Sequence, residues 1–144
     1  MKNPIIRILS LAVLAAAPLS VDAGAADTPR FADCIGNHRV TCVVDGDTFW
    51  LDGTKIRIAD INAPETSHPS CPYEAQLGAQ ATRRLTELLN AGAFTLTTEG
   101  RATDRYGRAL RVVMRGRQSL GRALVDAGLA EAWTGHRRNW CGAG

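Results

Sequence analysis

The chain has 144 residues, with 17 Lys and Arg against 14 Asp and Glu for a formal net charge of +3, and 45% of it is hydrophobic. Once an N-terminal export signal is set aside, that length suffices for one domain with one core and excludes two. The small net charge conceals a division: residues 26–100 carry 6 Lys/Arg against 10 Asp/Glu, whereas residues 101–144 carry 9 against 3. Such a division suits a site that holds a cation with one half and a polyanion with the other, and its competitor is an Arg-rich surface that serves only solubility.

In chain order, Lys2 and Arg7 precede an apolar run from Ile8 to Leu19, and small residues follow at Val21–Ala26. This is the pattern of a cleaved export signal over residues 1–25, leaving 26–144 as the folded domain in the periplasm or secreted. The run is interrupted by Ser10 and closed by Pro18, and it is short of the roughly 20 apolar residues a membrane span needs. No later segment is apolar enough to span a bilayer.

Cys34, Cys42, Cys71 and Cys141 all lie in the mature part, an even number that suits two disulfides in an oxidising compartment. Of the three possible pairings we favour Cys34 with Cys42, closing a short N-terminal hairpin, and Cys71 with Cys141, tying the last residues to the body. A metal site using Cys34, His38 and Cys42 competes, but its spacing is not a common zinc pattern.

Thr41 to Leu51 is expected to be a strand, with valines and aromatics around Asp45-Gly46-Asp47, and Lys55 to Ile61 a second. Asp52-Gly53 between them is a two-residue turn signal. Ala63-Pro64 breaks the second strand, and a Ser-, Pro- and His-containing loop runs to about Pro72. Tyr73 to Asn90 places Leu77, Ala81, Leu85, Leu88 and Leu89 at helical spacing, with Arg83, Arg84 and Glu87 outward.

Phe94–Thr98 and Ala109–Met114 are expected strands, Ser119–Ala127 a short helix, and Leu129–Trp133 a brief returning strand. Short strands plugged by a helix suit an α+β, mainly β fold. The expected form is a five-stranded OB-fold barrel with two or three short helices.

Three polar clusters are hard to explain as packing. Asp45-Gly46-Asp47-Thr48 sits inside an apolar strand, where alternation sends Asp45 and Asp47 to one side and unpaired carboxylates are costly. Arg57 lies among isoleucines, while Asn62 and Glu65 flank the Ala63-Pro64 break, a favourable place for a site. Asp104-Arg105-Tyr106-Gly107-Arg108 offers two guanidinium groups for phosphate and a ring for stacking on a base. Taken singly, each also fits a bland structural role: a turn, a surface ion pair or a solvated loop.

In content, order and spacing the three clusters resemble the staphylococcal nuclease (thermonuclease) family, and the resemblance extends over about Thr41 to Trp133. It implies a phosphodiesterase that uses calcium. Asp47, Asn62 and the backbone carbonyl of Ala63 would be the metal ligands, and Glu65 would position or deprotonate water. Arg57 and Arg108 would bind the phosphate, with Arg105 and Tyr106 contacting substrate beside them. These roles fit the reaction, since hard oxygen ligands suit calcium and cationic groups stabilise the charge built up on phosphorus.

Two departures from the family stand out. Asn62 replaces an Asp, removing one negative charge from the metal set, so a weakened activity or a high calcium requirement is expected. His136 to Gly144 is too short and polar for the family's final helix, and a disulfide through Cys141 is expected to replace it. The sequence thus points to an exported nuclease acting on DNA, with RNA open as a second substrate, with little sequence preference and without need of more than a monomer. A catalytically impaired OB-fold nucleic-acid-binding module is the main alternative, and an exported structural domain is a third.

Overall fold

The computed structural model describes residues 28–142, and the expected export signal, Met1 to Ala25, lies outside the described residues. The fold is mixed α+β and mainly β. Strands β1 (Cys42–Asp45), β2 (Thr48–Leu51), β3 (Thr54–Ile58) and β4 (Ile61–Asn62) precede helix α1 (Pro72–Asn90). Strands β5 (Thr95–Thr97), β6 (Ala109–Arg115) and β7 (Gln118–Ser119), helix α2 (Leu120–Asp126), strand β8 (Glu131–Ala132) and a 3-10 turn (Trp140–Gly142) complete it.

A six-stranded sheet runs in the order β1-β2-β3-β6-β5, with β7 added to β6, and β4 pairs with β8 in a separate ribbon. The β3–β6 pair is parallel, and the other pairs are antiparallel. The sheet therefore has six strands where five were expected: the first expected strand divides in two, the chain turns back on β6 at Gly116-Arg117 to add β7, and the returning strand near Leu129–Trp133 pairs with β4 instead.

The expected strand from Thr41 to Leu51 is two strands. Asp45 pairs directly with Thr48, so Gly46-Asp47 is a hairpin turn, and the Asp47 N–H donates to Asp45 Oδ1 at 3.1 Å. Alternation therefore does not govern Asp45 and Asp47, and the two carboxylates meet through turn geometry instead. The Asp52-Gly53 turn is as expected, with φ of 48° and 78° joining Leu51 to Thr54. The second expected strand also divides, at Ala59-Asp60, so that β4 leaves the large sheet and carries Asn62 to β8.

Helix α1 begins at Pro72, where a missing N–H costs nothing, and buries Gly78, Ala81, Thr82, Leu85, Leu88 and Leu89. Helix α2 is capped by Ser119, whose side chain accepts from the Arg122 N–H. The core gathers Val43, Phe49, Ile56, Ile58, Leu85, Val113 and Leu124. Phe31, Phe49 and Phe94 meet with ring centroids 5.8 to 6.4 Å apart. Asn90 clamps Phe31 into that cluster, accepting from its N–H and donating to its carbonyl.

Both favoured disulfides form, Cys34–Cys42 and Cys71–Cys141, which leaves no described cysteine for a metal. No described helix is long and apolar enough to cross a membrane.

Candidate active site

The β1–β2 turn is pressed against α1. A Cβ on Gly46 would lie 2.5 Å from Ala81 Cβ and 2.9 Å from Ala63 Cβ, so only glycine lets the turn approach the helix and the β4 exit together. Asp47 follows, buried, and its carboxylate is surrounded by donors. Thr48 Oγ1 donates at 3.0 Å, the Ala63 N–H at 2.8 Å, and Arg57 Nη2 lies at 3.1 Å. The backbone of Asp47 is fixed as well, since its carbonyl accepts from the Ile58 N–H at 2.8 Å.

The chain then leaves β4 through Asn62, Ala63, Pro64 and Glu65. Asn62 is 2% exposed and donates its amide to Glu131 Oε1 on the paired strand at 3.3 Å. Its Oδ1 is the end of the amide not used in that bond. Buried Glu74, in the first turn of α1, accepts from the Glu65 N–H at 3.3 Å and from the Ser70 N–H at 2.6 Å, holding the loop shut. The Glu65 side chain itself is partly exposed and pairs with Arg137.

Beside these carboxylates lies a cleft of about 770 Å³ lined by Arg57, Arg105, Tyr106, Arg108, Trp133 and Arg137 among others. Arg57 is its buried member, with Nη1 donating to the carbonyls of Ile58 and Ile61 and Nη2 held by Asp47. Arg108 Nε is held by Asp104 Oδ2 at 2.6 Å, while Asp104 also accepts from the Arg108 and Tyr106 N–H groups. Arg105 donates to the Tyr106 hydroxyl and lies over its ring, and Tyr106 is 68% exposed.

The electrostatics follow this division. Burial first, then the neighbouring charges of Asp47 and Glu65, push the Asp45 carboxyl up to about 7. Asp104 moves the opposite way: burial works against its charge, but the hydrogen bonds from Arg108 outweigh it and hold the carboxyl below its ordinary value.

Three crowded carboxylates are a place that a cation would relieve. No three His, Cys, Asp or Glu side chains converge on a metal position among the described residues, so the donors to hand are mixed. Asp47, the Asn62 amide oxygen and the Ala63 carbonyl are hard oxygens on one stretch of structure, the donor chemistry that fits calcium.

The structure thus joins Asp47 to Ala63 and to Arg57 and lines one cleft with Arg57, Arg105, Tyr106 and Arg108, while Glu65 meets that cleft through Arg137 and the Asn62 amide is bonded to Glu131. Sequence reasoning gave Asp104 no role of its own within its cluster and passed over Glu131 and Arg137. Asp104 was legible as an Asx turn leading into Gly107, but Glu131 and Arg137 act through long-range contacts with no local signal.

The profile of the family described as "Staphylococcal nuclease homologue" matches residues 55–140. The chain is 30% identical over 99 residues to the thermonuclease of Staphylococcus hyicus, an alignment spanning 66% of this chain and 58% of that protein. It is 29% identical over 100 residues to the thermonuclease of Staphylococcus intermedius, spanning 67% and 59%. An uncharacterized endonuclease of Haemophilus influenzae is 31% identical over 100 residues, spanning 66% of this chain and 51% of that relative. The chain therefore covers little more than half the length of the curated relatives it matches.

Proposed function

From the premise that this chain belongs to the staphylococcal nuclease homologue family, we propose that it is an exported, calcium-dependent nuclease. On this reading it hydrolyses phosphodiester bonds of DNA, with RNA as a second substrate, and acts as a monomer with little sequence preference. The observation that carries the reading is the buried Asp47 carboxylate, bonded to the Ala63 N–H where the chain leaves β4 and paired with Arg57, which lines an arginine-rich cleft. Likeness to two thermonucleases and an endonuclease supports it. The same reading takes the path β1-β2-β3-β6-β5 as a five-stranded OB-fold barrel.

Calcium held by Asp47, Asn62 and the Ala63 carbonyl would supply positive charge against the negative charge that grows on phosphorus. The remaining work falls to the chain. Glu65, held at its backbone by Glu74, orients a water and accepts its proton. Arg108 keeps both terminal nitrogens free of protein bonds among the described residues and offers them to a phosphate oxygen. Arg57, committed to Asp47 and two carbonyls, sets the electrostatic field from a fixed position. Arg105 and Tyr106, exposed at the rim, take the neighbouring phosphate or sugar, and phosphate contacts read no sequence.

The test is cleavage of single-stranded and duplex DNA by the mature protein across a calcium titration, beside Glu65→Ala and Asn62→Asp. Calcium-dependent cleavage that Glu65→Ala abolishes is the expected result, with Asn62→Asp lowering the calcium requirement. If wild type and Asn62→Asp both bind DNA and neither cleaves at millimolar calcium, the chain is a binding module and the nuclease reading fails.

A further inference from the structure

The segment after β8 returns to the site by a route the sequence did not announce. Trp133 is anchored by its N–H to the Asp60 carbonyl at 2.9 Å. Beyond it, the Arg138 N–H donates to Glu131 Oε1 at 3.0 Å, the same oxygen that receives the Asn62 amide. Trp140 is buried, the 3-10 turn packs on α1, and Cys141 is bonded to Cys71 at the N-cap of that helix. Residues 134–139 are therefore a short arm fastened at both ends.

The arm carries two adjacent arginines, and they are used differently. Arg138 lies over the Trp140 ring, 5.0 Å from its centroid, and serves the arm itself. Arg137 points into the cleft and pairs through Nη1 with Glu65. Its other donors have no protein partner among the described residues, and its side chain is 58% exposed. Burial opposes its charge, but the hydrogen bond to Glu65 and the fields of Glu65, Asp47 and Asp45 outweigh it and raise the pKa of the guanidinium.

Resting on the nuclease reading above, we propose that Arg137 is a further substrate-contacting residue, which holds Glu65 with one edge of its guanidinium and a nucleic-acid phosphate with the other. A planar fork with five donors can serve two anions at once, which an ammonium cannot do with the same geometry. The need for such a residue is local. Arg57, the buried guanidinium of the cleft, has both terminal nitrogens engaged by protein, which leaves Arg108 and Arg137 as the cleft arginines with unbonded terminal donors, and of these two Arg137 is the one joined to Glu65.

The experiment measures binding of a fluorescein-labelled single-stranded DNA oligonucleotide by anisotropy, across a salt series, in EDTA so that no strand is cut. Arg137→Ala should weaken binding roughly tenfold at low salt and reduce the slope of log affinity against log salt by about 0.7, the share of one phosphate contact on a single strand. Arg137→Lys should restore the slope but only part of the affinity. The control is Arg84→Ala, which removes an equal charge from an exposed α1 position paired with Glu87 and outside the cleft.

If Arg137→Ala and Arg84→Ala weaken binding equally, the loss is one of net charge and the proposal is overturned. Both substituted residues are exposed, so neither result is at the mercy of folding. Adding calcium to the wild-type complex then decides the nuclease reading separately: cleavage upholds it, and binding without cleavage removes it while the Arg137 comparison stands. A wild type that binds no oligonucleotide at low salt overturns both.

Discussion

The two sides of the cleft are built by different means. On the carboxylate side, Asp47 is buried and meets Thr48, Ala63 and Arg57 within about one side chain's reach, with Gly46 wedged against Ala81. On the arginine side, Arg105 and Tyr106 are exposed and bonded mainly to one another, and Arg108 depends on Asp104. One side is therefore part of the core's polar framework, so altering it alters stability. The other is a surface whose members can be changed at little structural cost.

Substitutions sharpen that contrast. The largest effect is expected from Asp47→Ala, which strands the buried Arg57 guanidinium beside two carbonyls, a loss of about 3–5 kcal/mol by the usual cost of breaking a buried pair. Urea denaturation should register it as a lower midpoint with an unchanged slope. A midpoint equal to wild type would mean that Arg57 finds water, and that this side is looser than the geometry implies.

Gly46→Ala should cost about 1–3 kcal/mol through overpacking against Ala81 and Ala63. Thermal melting is the direct measure. Paired with Ala81→Gly, the loss should shrink if the clash with the α1 methyl is its source.

The smallest effect is expected from Asp104→Asn, under about 1 kcal/mol for a partly exposed pair. Its size depends on pH. Because the folded carboxyl lies below its ordinary value of 3.8, the stabilisation is present above that value and is lost as pH falls through the lower, folded value. The gap in melting temperature between wild type and Asp104→Asn should therefore be full at neutral pH and close in strong acid. A gap that persists there would assign the effect to packing.

The sequence was most legible where a local rule decides the outcome. The helix from Tyr73 to Asn90 with its apolar stripe, the short helix near Ser119 and Asp52-Gly53 as a hairpin turn all follow from short-range chemistry. Asp45-Gly46 is also a turn dipeptide, but the flanking valines and aromatics favour a strand across it, and the turn falls at Gly46-Asp47. The division at Ala59-Asp60 had no glycine or proline to mark it.

The candidate residues were legible as three clusters, and their convergence is a matter of the fold. Arg137 escaped because its place depends on a pairing with Glu65, 72 residues away, which no window of sequence contains.

Glu131 has a consequence of another kind. It stands directly across the β4–β8 ribbon from Asn62, takes the amide of that side chain, and receives the Arg138 N–H. An aspartate at 62 would set two negative side chains opposite one another, an arrangement that antiparallel pairs disfavour. The neutral amide and the acid are thus fitted to each other, and the fitness of either depends on the identity of its neighbour. A charge at 62 therefore carries a cost in stability, beside its expected gain in calcium affinity, that a change at 131 would relieve.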